Sequence, residues 1–208
     1  ELRVAIMGLD KERTDLVRER VSKAQEQEAT PERRDSVIKA RQQLAESKIE
    51  AEPLYEVCNF KPGVTDEVQG VVEAFLERAG LLDALVVATE AWEEALARLS
   101  SEGLGDALLV PGPLSDGPSL ATVLEPDAKA PREVAQLLQS LQLGQVWQHG
   151  SLRGVSPHGI RANYVGVSNR RRKRQEELAI LDAAISSLEK KSMDLQSSQV
   201  TLEQRVGI

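Results

Sequence analysis

The stretch NRRRKRQEELAILDAAISSLEKKSMDLQSSQVTLEQRV, residues 169 to 206, limits what this chain can fold into more than any other part of it. Alternating steps of three and four from Leu178 reach Leu181, Ile185, Leu188, Ser192, Leu195, Gln199, Leu202 and Val206. Seven of these nine positions are apolar, and the faces between them are dominated by Glu, Lys, Asp, Gln and Ser. A helix laid on a globular core usually buries a wider stripe. A narrow seam kept for about four heptads is the pattern of a coiled coil. The seam Leu178, Leu181, Ile185, Leu188, Leu195, Leu202 and Val206 therefore calls for a second helix.

The opposite end of the chain supplies one. Leu2, Ile6, Leu9 and Leu16 follow a helical spacing interrupted by Arg13, and Val37, Ala40, Leu44, Ser47 and Ala51 resume it beyond Pro31. The run TPER at 30–33 reads as a fresh helix start, with Thr30 as N-cap and Pro31 at the first helical position. The joint near Thr30 is then either an elbow in a long coil or a simple kink. Both arms are highly charged, and neither buries its seam alone. The simplest arrangement pairs residues 1–51 antiparallel with residues 169–208 and mounts residues 52–168 at the tip.

That middle segment differs in kind. LYEVCNF (54–60) alternates and is rich in β-formers, so it predicts a strand. TDEVQGVVEAFLERAG predicts a helix capped by Thr65 and stopped by Gly80. Further helices are expected over 91–100 and 130–141, short strands over 106–112 and 120–126, and a strand or hairpin over 144–154. The fold class is α+β: a compact domain at the tip of an intramolecular antiparallel coiled coil. Aromatic residues are only 3% of the chain and charged residues 28%, so the core must be built from Leu, Val and Ala.

Composition excludes several classes. A formal charge of −7 argues against a surface that coats nucleic acid everywhere. Cys58, the one cysteine, rules out an intramolecular disulfide and fits a reducing compartment. No apolar run approaches the ~20 residues of a membrane helix, so no membrane partner is expected. The chain begins in mid-pattern at Glu1 and stops just after a heptad run, which reads as a piece of a larger protein.

Three phrases carry a family resemblance. Phe60, Gly63 and Val64 lie in PLYEVCNFKPGV. Glu73, Ala74, Leu76, Ala79, Gly80, Leu81, Leu82, Asp83, Ala84 and Val86 lie in VEAFLERAGLLDALV. Tyr164, Gly166, Arg170 and Arg172 lie in ANYVGVSNRRRKR, which leads into the heptads. Together they resemble the hinge region of a MukB-like SMC ATPase, in the branch that forms the JetC subunit of Wadjet anti-plasmid systems. The phrases cover about a fifth of the chain. Leu85 stands where an aromatic is common in the family, and residues 87–145 carry little that aligns. The resemblance implies a homodimer through the hinge and a DNA-entrapping or loop-extruding machine in a bacterial cytoplasm. It also implies kleisin, accessory and nuclease subunits that bind through other regions, and ATPase heads that lie elsewhere in the full protein.

Nothing in the residues themselves points to catalysis or a cofactor. There is no GxxxxGK[ST] and no Gly-rich strand-to-helix loop. His149 and His158, with Cys58 distant, lack the spacing of a zinc site. Ser115 and Asp116 have no base and no nucleophile-elbow pattern around them. Two readings stand for the basic run Arg170, Arg171, Arg172, Lys173 and Arg174. In one it solvates the base of the coil and pairs with acids on the facing arm, such as Glu46, Glu50 and Glu52. In the other, joined by Arg153 and Arg161, it holds double-stranded DNA weakly and without sequence preference. An alternative to the hinge is a coiled-coil adaptor whose globular domain binds a protein partner.

Overall fold

The computed structural model describes residues 2–114, 116–143, 146–149, 152–155 and 160–207; for 146–149 and 152–155 it describes the backbone. The chain divides into two compact units, Glu1–Ala29 with Arg171–Ile208, and Thr30–Arg170.

The first unit contains helix α1 (Leu2–Gln25) and most of the last helix of the chain, α7 (Val167–Val206). Ion pairs join Arg3 to Glu203, Arg13 to Glu189, Arg20 to Asp182 and Lys23 to Glu177. One number rises as the other falls, so the two helices run antiparallel. The seam on α1 is Leu2, Ile6, Leu9, Arg13, Leu16, Arg20 and Lys23, each half-buried. On α7, Leu181, Leu188 and Ser192 are buried, and Leu178, Ile185, Leu195 and Gln199 are half-buried. Leu202 is 48% exposed, beyond the last layer the two helices share, and the Val206 side chain lies outside the described residues.

The second unit starts with an extended segment and helix α2 (Asp35–Glu46), and here the expected arm over 1–51 differs. Residues 30–34 are not helical, and Arg34 rather than Thr30 occupies the N-cap position. Helix α2 belongs to the globular unit. Its Ala40 and Leu44 are buried with Ile49, Leu85, Val87, Ala95 and Leu99 in one hydrophobic cluster. Strand β1 (Ala51–Pro53) follows, then a one-turn helix α3 (Leu54–Val57) and β2 (Cys58–Phe60), where a single strand was expected. The β-forming side chains of 54–57 are used for burial: Leu54, Tyr55 and Val57 are all in the main core.

Helix α4 (Asp66–Arg78) is capped by Thr65, whose hydroxyl accepts from the Val68 N–H. It ends at Gly80 in a left-handed turn (φ 70°), with the Leu81 N–H donating to the Leu76 carbonyl. Strand β3 (Leu85–Val87), helix α5 (Trp92–Ser101) and β4 (Leu108–Leu109) form a strand–helix–strand crossover. The sheet order is β1-β3-β4, antiparallel then parallel, with Ala51 opposite Val87 and Leu85 opposite Leu108. Successive side chains of a strand face opposite ways. Leu85 and Val87 accordingly join the α2–α5 cluster, while Val86 joins the main core with Leu54, Phe75, Leu76 and Leu120. A strand buried on both faces reads as a continuous aliphatic run, as LVV does. Strand β5 (Leu124–Pro126) pairs antiparallel with β2, helix α6 (Glu133–Ser140) covers the main core with Val134, Leu137 and Leu138, and β6 (Val146–His149) and β7 (Leu152–Val155) form an antiparallel hairpin. Among the described residues no helix is long and apolar enough to cross a membrane.

Candidate functional site

The five basic residues before the heptads do not share one surrounding. Arg170 is only 6% exposed. Its Nη1 donates to the carbonyls of Tyr55 and Tyr164, each at 3.0 Å, and its guanidinium lies 5.7 Å from the centre of the Tyr55 ring. It ties the end of the globular unit to α3 and is not available to a phosphate, so it leaves the set of DNA-contact candidates. Arg174 donates from Nε to the Lys23 carbonyl at 3.2 Å and from Nη2 to the Ala24 carbonyl at 2.7 Å. These are carbonyls of the last turn of α1, which lack partners within the helix. Arg172 pairs with Glu176 at 2.6 Å and Lys173 with Glu177 at 3.5 Å, both one turn along α7. Arg171 pairs with Glu28 at 3.5 Å and keeps 68% of its side chain exposed.

The acids that answer this run are thus Glu28, Glu176 and Glu177. Glu46, Glu50 and Glu52, the partners expected from the sequence, belong to the other unit. Arg161 is 66% exposed and lies 3.8 Å from Asp66. The side chain of Arg153 lies outside the described residues. Charge is unevenly divided: Thr30–Arg170 carries 20 acidic against 13 basic residues, and the two-helix unit carries equal numbers. The whole net charge of −7 is on the globular unit.

Two buried groups that sequence reasoning did not single out for a role organise the segment leading into α7. Glu73 on α4 is 5% exposed, and its carboxylate accepts the backbone N–H groups of Asn163, Tyr164 and Val165, the latter two at 2.8 Å. Burial pushes this carboxyl above the ordinary range, and the three donors pull it back down. One turn earlier, a Cβ on Gly70 would lie 1.5 Å from the Ile160 carbonyl oxygen, so only glycine admits that crossing.

A second polar cluster centres on Asp83. Arg33 holds its carboxylate through Nε and Nη2, at 2.9 and 2.8 Å, and also donates to the Tyr55 hydroxyl at 3.0 Å. Arg41 donates to the Asp83 carboxylate at 3.0 Å and to its carbonyl at 2.6 Å, while its Nε reaches Asp106 at 2.8 Å. The Tyr55 hydroxyl donates to Glu56 at 2.6 Å. Burial and that carboxylate push the phenol up. Two planar guanidiniums gripping one carboxylate fix the entry to α2 and the turn after α4 by geometry as much as by charge. In sequence the four are two arginines followed much later by two aspartates, with no fixed spacing to mark them as a cluster.

Chemistry finds little purchase. Burial pushes the Cys58 thiol up to about 12, which keeps it a thiol at neutral pH. Among the described residues no three His, Cys, Asp or Glu side chains converge on a metal position. Ser115, His158 and the side chains of His149 and Trp147 lie outside the described residues. An open groove of about 590 Å³ lies beside β4, lined by Leu108, Leu109, Leu114, Leu137, Leu141 and Gln142 among others. It has an apolar floor and no convergent titratable groups.

No family model and no curated protein matches the chain. Solved structures that align along its length include two hinge domains. The hinge domain of the Geobacillus stearothermophilus SMC protein, crystallised as an asymmetric dimer, aligns at 15% identity and a TM-score of 0.39, over 100% of this chain and 96% of that one. The Pyrococcus furiosus Smc hinge domain with an extended coiled coil aligns at 18% identity and a TM-score of 0.41, over 99% of this chain and 86% of that one.

Proposed function

We propose that this chain is the hinge of an SMC-type ATPase of the MukB-like kind, a domain that joins two copies of a long coiled-coil subunit. The observation that carries the reading is the pairing of the first and last helices with each other, antiparallel, through Arg13–Glu189, Arg20–Asp182 and Lys23–Glu177. Two helices that flank a globular unit in sequence and pair with each other are the arrangement that such a joining domain needs. The three phrases that resemble the MukB-like hinge support it independently. The plasmid-defence role belongs to the resemblance alone.

A joining domain needs a self-complementary surface, and an isologous twofold is the commonest solution. The aliphatic run 81–88 is mostly interior: Leu82, Ala84, Leu85, Val86 and Val87 are each 4% exposed or less. The sheet edges discriminate better. The β1 edge carries Glu50, Glu52 and Glu56 and the N–H-less Pro53, features that discourage strand addition. Burial and the repulsion of Glu56 and Glu50 already raise the Glu52 carboxyl. The β4 edge offers Leu108 and Leu109 beside the apolar groove, with Leu114 64% exposed at its rim. A second copy seated there has to bury about 1,000 Å² in total with an apolar centre.

In this reading DNA contact falls to residues outside the buried struts. Arg161 and Arg171 remain the well-exposed candidates, and both have acidic neighbours within 4 Å. Binding through them is sequence-independent and lost at moderate salt. The test of the function is self-association: Leu109→Lys with Leu114→Lys should turn a dimer into a folded monomer. A wild-type chain that stays monomeric at tens of micromolar favours the adaptor instead.

A further inference from the structure

The stalk of α1 and α7 is held in a register that its leucines do not choose. The interhelical ion pairs place Lys23 level with Leu178, Arg20 with Leu181, Leu16 with Ile185, Arg13 with Leu188, Leu9 with Ser192, Ile6 with Leu195 and Leu2 with Gln199. Two of these seven layers, Leu16–Ile185 and Ile6–Leu195, are apolar on both sides. Moving α1 by one heptad, about 10 Å at 1.5 Å per residue, gives Leu16–Leu178, Leu9–Ile185 and Ile6–Leu188. That register has three such layers and brings Leu2 level with Ser192. Seam hydrophobicity, which usually decides pairing in a coiled coil, therefore favours the displaced arrangement.

Charge favours the observed one. After the shift Arg20 stands level with Arg174 and Lys23 with Arg171, where two cations meet across the seam. Arg13 moves next to Asp182, while the pairs Arg20–Asp182, Lys23–Glu177 and Arg3–Glu203 are lost. The hydrogen bonds from Arg174 to the carbonyls of Lys23 and Ala24 go with them. An Arg13 Nε buried with no hydrogen-bond partner is a cost of the present register.

We infer that the stalk is a two-register device: its cross-helix ion pairs and the Arg174 cap hold one register against a second, displaced by one heptad, that its apolar seam prefers. Helix α1 ends at Gln25 and Asp83 holds Arg33, so residues 26–32, which have no regular structure, are what takes up the slide. Anything that neutralises or competes for the acids at 177 and 189 shifts the balance. The inference concerns the stalk alone and stands whether or not the globular unit dimerises.

The test uses the full chain with one of two cysteine pairs, Leu16→Cys with Ile185→Cys for the observed register or Leu16→Cys with Leu178→Cys for the displaced one, and a short bis-thiol crosslinker. Cys58 is buried and does not compete. The otherwise unaltered chain should crosslink 16 to 185 in preference to 16 to 178. Adding Glu177→Lys with Glu189→Lys, acids that come level with Leu16 and Ile6 in the displaced register, should shift the ratio of the two products by roughly tenfold toward 16–178, the scale of two exposed ion pairs reversed. Adding Arg13→Glu with Lys23→Glu to that background should restore 16–185. A charge-swapped chain that keeps the original ratio overturns the inference. So does a swapped chain that loses both crosslinks and recovers neither in the reciprocal background.

Discussion

Arg170 and Arg172 stand two residues apart in one basic run and have opposite surroundings. Arg170 is buried and satisfies two main-chain carbonyls; Arg172 pairs along its own helix. Arg170→Met should lower the unfolding free energy by about 2–4 kcal/mol, because removing a buried cation strands the carbonyls it served. Arg172→Ala should change it by less than about 0.5 kcal/mol. Urea denaturation of the two variants checks both. Glu73 gives a prediction in pH. Its folded carboxyl lies above the ordinary value, so the folded state holds the proton more tightly than the unfolded one. Its contribution is full below the unfolded value and is lost as pH rises through the folded one. Measured against Glu73→Gln, the wild-type advantage should shrink between acid and neutral pH; an advantage that grows means the three N–H donors outweigh burial. From sequence, five adjacent cations are legible as a patch. That one of them is an interior strut is not, because its partners are carbonyls at 55 and 164, and any residue type supplies a carbonyl.

At the scale of elements, glycine separates two helices. Gly70→Ala puts a methyl onto the Ile160 carbonyl and should destabilise by about 2–4 kcal/mol. Gly8 on α1 has nothing within 4 Å of the same position, and Gly8→Ala should stabilise by about 0.5–1 kcal/mol. Thermal melts of both variants test the contrast. The seam of α7 is graded in the same way: Leu188, 7% exposed, should lose about 2–3 kcal/mol on truncation to Ala, and Leu202 less than about 0.5. Helix α4 was legible because Thr65 and Gly80 cap it by local chemistry. The start expected at Thr30 failed for a non-local reason. Arg33 is held by Asp83 and Tyr55, fifty and twenty-two residues away, and that grip goes with an extended backbone up to Arg34. The short helix at Leu54–Val57 escaped for a similar cause: its N–H groups at 54 and 55 donate to Ala84 and Leu82. Propensity gave way to burial there.

For the whole molecule, the pattern at the two ends of the sequence announced a coil, since a heptad repeat advertises its own need for a partner. The surface between copies has no such signature: the aliphatic run 81–88 looks like an interface and is a two-faced interior strand, whereas β4 contributes only two residues to the sheet. The charge division adds a constraint. With −7 on the globular unit, two copies repel at long range, so association through the β4 groove should tighten as salt screens them, while any DNA binding weakens. Opposite salt responses of the two equilibria distinguish them. The central claim is that the chain joins to itself, and sedimentation equilibrium of the full chain at moderate salt tests it most directly. The account predicts a mass rising with concentration to twice the 22.8 kDa of one chain, and falling back to one chain with Leu109→Lys and Leu114→Lys. A single 22.8 kDa species at every concentration up to tens of micromolar, or a dimer indifferent to both substitutions, would contradict it.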